Sequence, residues 1–161
     1  MGSNRIKIGM GEGVVACGPH VVSSTGIGSC VVVTLYDAKR KAGAMAHVML
    51  PDSAALCEPS GSFQCADTAI KLLLEGLQDQ GSLLLDLVAK IAGGARMFST
   101  YDEGTNGIGS QNIRRIKDIL QRNRIPLTGW DVDGHHGRSV EFHLTSGNLV
   151  VKSFGTTDKV F

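Results

Sequence analysis

SSTGIGSCVVVTLYDAKRKAGAMAHVML, residues 23–50, decides the fold. Its centre, Val31 to Tyr36, is a β-branched apolar run, and Ala42 to Leu50 is a second, mostly apolar run. The polar stretch Asp37 to Lys41 between them is short enough for a turn, so the two runs read as a β-hairpin. Pro51 ends the second strand because proline has no N–H to give to a ladder. On the other side, Ser23 and Ser24 close a preceding strand. Gly26 and Gly28 then make a permissive turn, and Cys30 opens the hairpin.

The same periodicity extends outward in both directions. Towards the N-terminus the expected strands are Arg5 to Ile8, Gly13 to Cys17 and Val21 to Ser24. After a polar loop at residues 51–62, Ala66, Ala69, Ile70, Leu73, Leu74 and Leu77 recur at helical spacing. They define a helix from about Phe63 to Gln80, with Gly81 as its stop. A buried strand, Leu83 to Ala92, runs into a Gly93-Gly94 turn. MFSTYDEGTNGIG reads as a loop, and a second helix is expected over Gln111 to Asn123, capped by Ser110 or Asn106, with Ile113, Ile116 and Leu120 inward. Strands at Leu127 to Asp133, Arg138 to Leu144 and Leu149 to Phe154 complete the chain. Strands outnumber helices and several are hairpin neighbours. The fold class is therefore α+β: one layered domain over residues 1–161, with mixed, largely antiparallel sheets and two main helices.

Composition narrows the function. A formal charge of +1 and 5% aromatic residues leave no basic, aromatic-studded stripe, so no nucleic-acid partner is expected. No apolar stretch reaches the ~20 residues that span a bilayer, and MGSNRIKIGM lacks the apolar core of an export signal. Cys17, Cys30, Cys57 and Cys65 show no C-x-x-C spacing. A cytoplasmic protein, not inserted in a membrane and with reduced thiols, is the expectation. Val31 stands where a dinucleotide fingerprint beginning at Gly26 needs its third glycine, so that reading fails. His135 and His136 are adjacent on a loop, a poor arrangement for one metal ion. Neither metal nor organic cofactor is expected.

Chemistry concentrates at Cys30 and His47. With the turn centred between Ala38 and Lys39, Tyr36 pairs with Lys41, and the ladder extends to put Cys30 opposite His47. Directly opposed residues share a face with Cβ atoms about 4.5–5.5 Å apart, within reach of a thiol–imidazole hydrogen bond. A thiol is only a few per cent ionised at neutral pH, and an imidazole that takes its proton makes the nucleophile. The amides of Gly28, Ser29 and Cys30, in a glycine turn, are candidate donors to an oxyanion. The hairpin offers no suitable carboxylate to orient His47, whereas hydroxyls abound at Ser23, Ser24, Thr25 and Ser29. Against this stands the plainer possibility of an inert buried cysteine and a core histidine.

TGIGSCVVVTLYD (25–37) followed by GAMAHVMLPDS (43–53) resembles the signature of the CheD family, the chemoreceptor glutamine deamidases. The likeness continues in KIAGGARMF (90–98), IGSQN (108–112) and GRSVEFHLTSGNLVV (137–151), and so covers almost the whole chain. It implies a layered α/β fold similar to deamidating toxins. It further implies hydrolysis of glutamine side chains on chemoreceptor cytoplasmic domains to glutamate and ammonia. By that resemblance Cys30 is the nucleophile, His47 the base, and the third residue, a threonine in the family, is Ser24 here. Thr25, one residue on, is the alternative hydroxyl. A CheC-type phosphatase is implied as a partner. Two other readings stand beside the enzyme: a chemotaxis adaptor, which the presence of both Cys30 and His47 disfavours, and a different thiol acyltransferase or small protease.

Overall fold

The computed structural model describes residues 4–55, 62–97 and 107–161. Among them, ten strands and two α-helices form the expected α+β fold. The strands are β1 (Asn4–Lys7), β2 (Gly13–Cys17), β3 (His20–Ile27), β4 (Val31–Asp37), β5 (Ala42–Val48), β6 (Leu87–Gly93), β7 (Leu127–Val132), β8 (Arg138–His143), β9 (Asn148–Lys152) and β10 (Lys159–Val160). Helix α1 spans Ala66–Asp79 and α2 spans Ile108–Arg122.

Two five-stranded sheets result, in the orders β2-β5-β4-β6-β7 and β1-β3-β8-β9-β10. Both are mixed: β1 with β3 and β6 with β7 run parallel, and the other pairs run antiparallel. Alternate residues of β4 and β5 serve two cores. Val31, Val33, Leu35, Ala44, Ala46 and Val48 pack under α1 and α2, while Val32, Tyr36 and Met45 face the second sheet with Phe142, Leu144 and Val22. A strand covered on both faces favours apolar side chains on both, which is why VVVTLYD and AGAMAHV are largely apolar, with Thr34, Asp37 and His47 as their buried polar residues. All fourteen residues of the two strands are buried. Side chains also stitch the sheets together: Tyr36 Oη donates to Leu144 O, and Lys90 Nζ donates to Gly147 O and Phe161 O at 2.7 Å each.

Several boundaries move. The hairpin turn is one residue later than the local sequence suggests: Asp37 pairs with Ala42, and Lys41 closes the loop with φ of 50°. Asp37 Oδ1 accepts from the Lys39 amide at 3.0 Å, an Asx turn that a reading by apolar runs does not register. The second strand stops at Val48, and Leu50 makes only a single bridge, to Cys65. Residues Leu84–Asp86 are a 3-10 turn, so β6 begins at Leu87. Helix α1 starts at Ala66, three residues after Phe63. Helix α2 starts at Ile108 behind Gly107, which puts Ser110 inside the first turn, while Asn106 lies outside the described residues. Strand β3 continues to Ile27, and β10 was not anticipated. Most of the loop read at 97–109, and Cys57, also fall outside the described residues. No helix among the described residues is long and apolar enough to cross a membrane.

Candidate active site

The observed register changes the relation between Cys30 and His47. His47 lies opposite Val32, and the ladder ends at the pair Val31–Val48. Cys30 is therefore displaced by two residues from the expected position and stands just outside the strand. A shift of two preserves the face, since side chains alternate with period two. It converts a direct neighbour into a diagonal one, where separations are nearer 7–8 Å. Accordingly, His47 Nε2 is buried and carries no hydrogen bond among the described residues. The expected thiol–imidazole bond is absent at rest.

His47 points between the sheets, where Ser24 of β3 meets it. Ser24 Oγ lies 2.8 Å from His47 Nδ1 and 2.8 Å from Ile8 O. A carbonyl oxygen only accepts, so the single hydroxyl proton of Ser24 goes to Ile8. The Ser24 oxygen then has only a lone pair to offer the ring, and Nδ1 must carry the proton. Nε2 is left as the basic nitrogen. Both Ser24 and His47 are wholly buried. Thr25, the alternative hydroxyl, is exposed and points the other way, as the next residue of a strand must.

The main chain of His47 is also held. Gly11 N donates to His47 O at 2.9 Å, and His47 N donates to Glu12 O at 3.0 Å. The turn after β1 is itself closed by Gly9 N donating to Glu12 Oε2 at 2.7 Å. The N-terminal segment thus supplies both the clamp on the histidine backbone and, through Ile8 O, the acceptor that sets its tautomer. Reading strand propensities alone showed no such role for residues 8–12.

The loop before β4 is fixed by its carbonyls. Gly28 O accepts from Ala95 N at 2.9 Å and Cys30 O from Gly94 N at 2.8 Å. Ser29 O accepts from Asn112 Nδ2 at 3.2 Å, and the same nitrogen reaches Met49 O at 3.1 Å. Gly93 and Gly94, read from the sequence as a tight turn, instead form the wall of this loop. An ideal Cβ on Gly93 would collide with Cys30 O, and one on Gly28 would come 3.2 Å from Met97 Cγ. Asn112 was missed as well. It stands four residues before Ile116 on the buried stripe of α2, and a polar residue in such a stripe signals a partnered group.

Electrostatically the pair is neutral at rest. Burial pushes the Cys30 thiol up from its ordinary value, and its own main-chain N–H, turned toward the sulfur, pulls the other way. Burial pushes the His47 imidazole down. Cys30 retains 9% of its surface, whereas His47 has none. Arg96 and His135 each have a partner of their own. Arg96 Nε pairs with Asp133 at 3.1 Å, and His135 Nδ1 lies 3.1 Å from Arg96 O. Cys17, Cys30 and Cys65 are free thiols. No group of three metal-ligating side chains gathers among the described residues.

The CheD family model, described as CheD chemotactic sensory transduction, matches residues 49–153, a segment that begins just after His47. Curated relatives extend over the N-terminal part too. A Thermotoga maritima protein named chemoreceptor glutamine deamidase CheD is 44% identical over 148 residues, covering 92% of this chain and 91% of its own. Proteins named probable chemoreceptor glutamine deamidase CheD are 38% identical in Haloarcula marismortui (94% of this chain, 87% of that one) and 36% identical in Desulforamulus reducens (99% and 96%). Matched across most of its length by the family model and by relatives of nearly equal length, the chain belongs to the CheD family.

Proposed function

We propose that this chain deamidates glutamine side chains on chemoreceptor cytoplasmic domains in the cytoplasm, with Cys30 as nucleophile, His47 as general base and Ser24 as the residue that orients the ring. The observation that carries the reading is the Ile8–Ser24–His47 relay, which leaves Nε2 as an unprotonated nitrogen with no other partner, on the face of the sheet that Cys30 adjoins. Catalytic hydrogen bonds are often open in a free enzyme and close only in the substrate complex. Here closure requires Cys30, outside the regular ladder, to turn its sulfur toward Nε2.

The steps balance without a cofactor. The Cys30 sulfur attacks the carboxamide carbon as its proton passes to Nε2, and the carbonyl oxygen becomes an oxyanion facing the loop amides. Nε2–H protonates the departing nitrogen, the C–N bond breaks, and ammonia leaves a thioester. Nε2 then takes a proton from water, hydroxide adds to the thioester, and that proton returns to sulfur as glutamate is released. Because thiol and imidazole begin neutral, the proton moves only as charge develops on the substrate. Each properly aimed oxyanion donor then contributes about 2.7–4 kcal/mol.

The test is to incubate the protein with a receptor cytoplasmic fragment and follow ammonia release and the amide-to-acid mass change. The expected result is conversion by the wild type and none by Cys30→Ala. Equal conversion by Cys30→Ala removes the mechanism. Binding without conversion by the wild type supports the adaptor reading instead. A CheC-type phosphatase belongs to the same proposal as a regulating partner, and adding it to this assay should change the rate.

A further inference from the structure

We infer that Asn112 is a positioning residue for the reaction, acting as a lock on the Ser29–Cys30 peptide that keeps the Cys30 N–H aimed at the place where the oxyanion forms. The inference rests on the reading of Cys30 as nucleophile. Its basis is geometric. A trans peptide is planar, with C=O and N–H pointing in opposite directions. Asn112 Nδ2 holds the Ser29 carbonyl at 3.2 Å, so the N–H of the same peptide, that of Cys30, is turned away from α2. That direction is toward the sulfur, where a carbonyl carbon bonded to Sγ would place its oxygen. The second Nδ2 proton holds Met49 O at 3.1 Å, two residues beyond His47. One amide thereby spans the loop that carries the nucleophile and the residue that follows the strand carrying the base.

The orientation of the Asn112 side chain follows from its partners. Both are carbonyl oxygens, which only accept, so the NH₂ must face them. The other end of the amide, Oδ1, is buried without a hydrogen bond, and the residue has no exposed surface. A leucine would fill similar space on this apolar stripe with no unpaired oxygen. What asparagine adds is its two N–H bonds, and both end on the chain segments that frame the site. The helix that carries it is seated close by: an ideal Cβ on Gly109 would stand 2.6 Å from Gly94 O, beside the amides that hold Cys30 O and Gly28 O. The bonds from Ala95 N and Gly94 N hold the neighbouring Gly28 and Cys30 carbonyls, but among the described residues only Asn112 is seen to hold that of Ser29; a rotated Ser29–Cys30 peptide would present a carbonyl to the oxyanion where a donor is required.

Two reactions of the same sulfur separate this role from general disorder. Deamidation passes through an oxyanion, whereas alkylation by iodoacetamide displaces iodide and forms none. In Asn112→Leu, deamidation kcat on the receptor fragment should fall about 10²–10³-fold, the range for losing one oxyanion donor, with KM within about threefold. Alkylation of Cys30, measured at a pH where the thiol is ionised in both proteins, should stay within about threefold. If Asn112→Leu does not fold, Asn112→Ser, which leaves room for water to reach both carbonyls, carries the same comparison. A folded variant with wild-type kcat overturns the inference, and so does an equal fall in both reactions, which would make Asn112 a structural residue only. A wild type that does not deamidate at all counts instead against the function proposed above.

Discussion

Replacing Ser24 by alanine removes one oxygen from a place that water does not reach, and the structure allows the consequence to be worked out on two scales. On stability, the change leaves Ile8 O and His47 Nδ1–H without partners, each formerly at 2.8 Å from the hydroxyl. An orphaned buried polar group costs about 1–3 kcal/mol, so the pair should cost about 2–4 kcal/mol after relaxation. For a domain of this size that is a fall in Tm of about 5–15 °C. On catalysis, one hydrogen bond favours the Nδ1–H tautomer by about 0.5–1.5 kcal/mol, a factor of about 2–13 in its population. Loss of ring orientation multiplies this, within the 10²–10⁴-fold that a positioned base contributes, so kcat should fall about 10- to 100-fold. Ammonia release from a receptor fragment, measured well below the Tm of every variant, reads the second effect apart from the first. Ser24→Thr keeps the oxygen and should retain kcat within about threefold. Thr25→Ala, altering an exposed residue, should leave it unchanged. A folded Ser24→Ala with wild-type kcat, or an equal loss in Thr25→Ala, would refute the assignment of the relay.

Burial raises the Cys30 thiol, so its thiolate should accumulate only as pH rises past the usual thiol value. The rate of iodoacetamide alkylation should therefore climb with a midpoint above about 8.5, and a midpoint below 7 would reveal a resting thiolate–imidazolium pair instead. Gly43→Ala should lower Tm through overpacking worth about 1–3 kcal/mol, because its Cβ would come 2.8 Å from Phe142 Cε1 and into Leu144. Thermal unfolding that leaves Tm unchanged would mean that the two sheets are less tightly packed there than the structure shows.

Local sequence determined the elements that depend on a short window. Both helices announce themselves through apolar spacing that recurs within a few turns, β4 through its β-branched run, and β5 through a run of small and apolar residues that suits a strand covered on both faces. The face shared by positions 30 and 47 was legible too, since period-two alternation survives a slip of two residues. The exact partner was not: the Asx turn at Asp37 and Lys41 in the left-handed region move the turn one residue along, and nothing in the apolar pattern encodes where the turn is centred. Ser24 as against Thr25 was decided when β3 chose which side to turn toward the other sheet. The carbonyl of Ile8 and the amide of Asn112 are different in kind. Residues 8, 24 and 47, and residues 29, 49 and 112, meet only because two sheets and a helix stack, and a backbone carbonyl looks the same at every position of a sequence. Periodicity reports which side of an element is buried, while only the packed layers report what waits on that side.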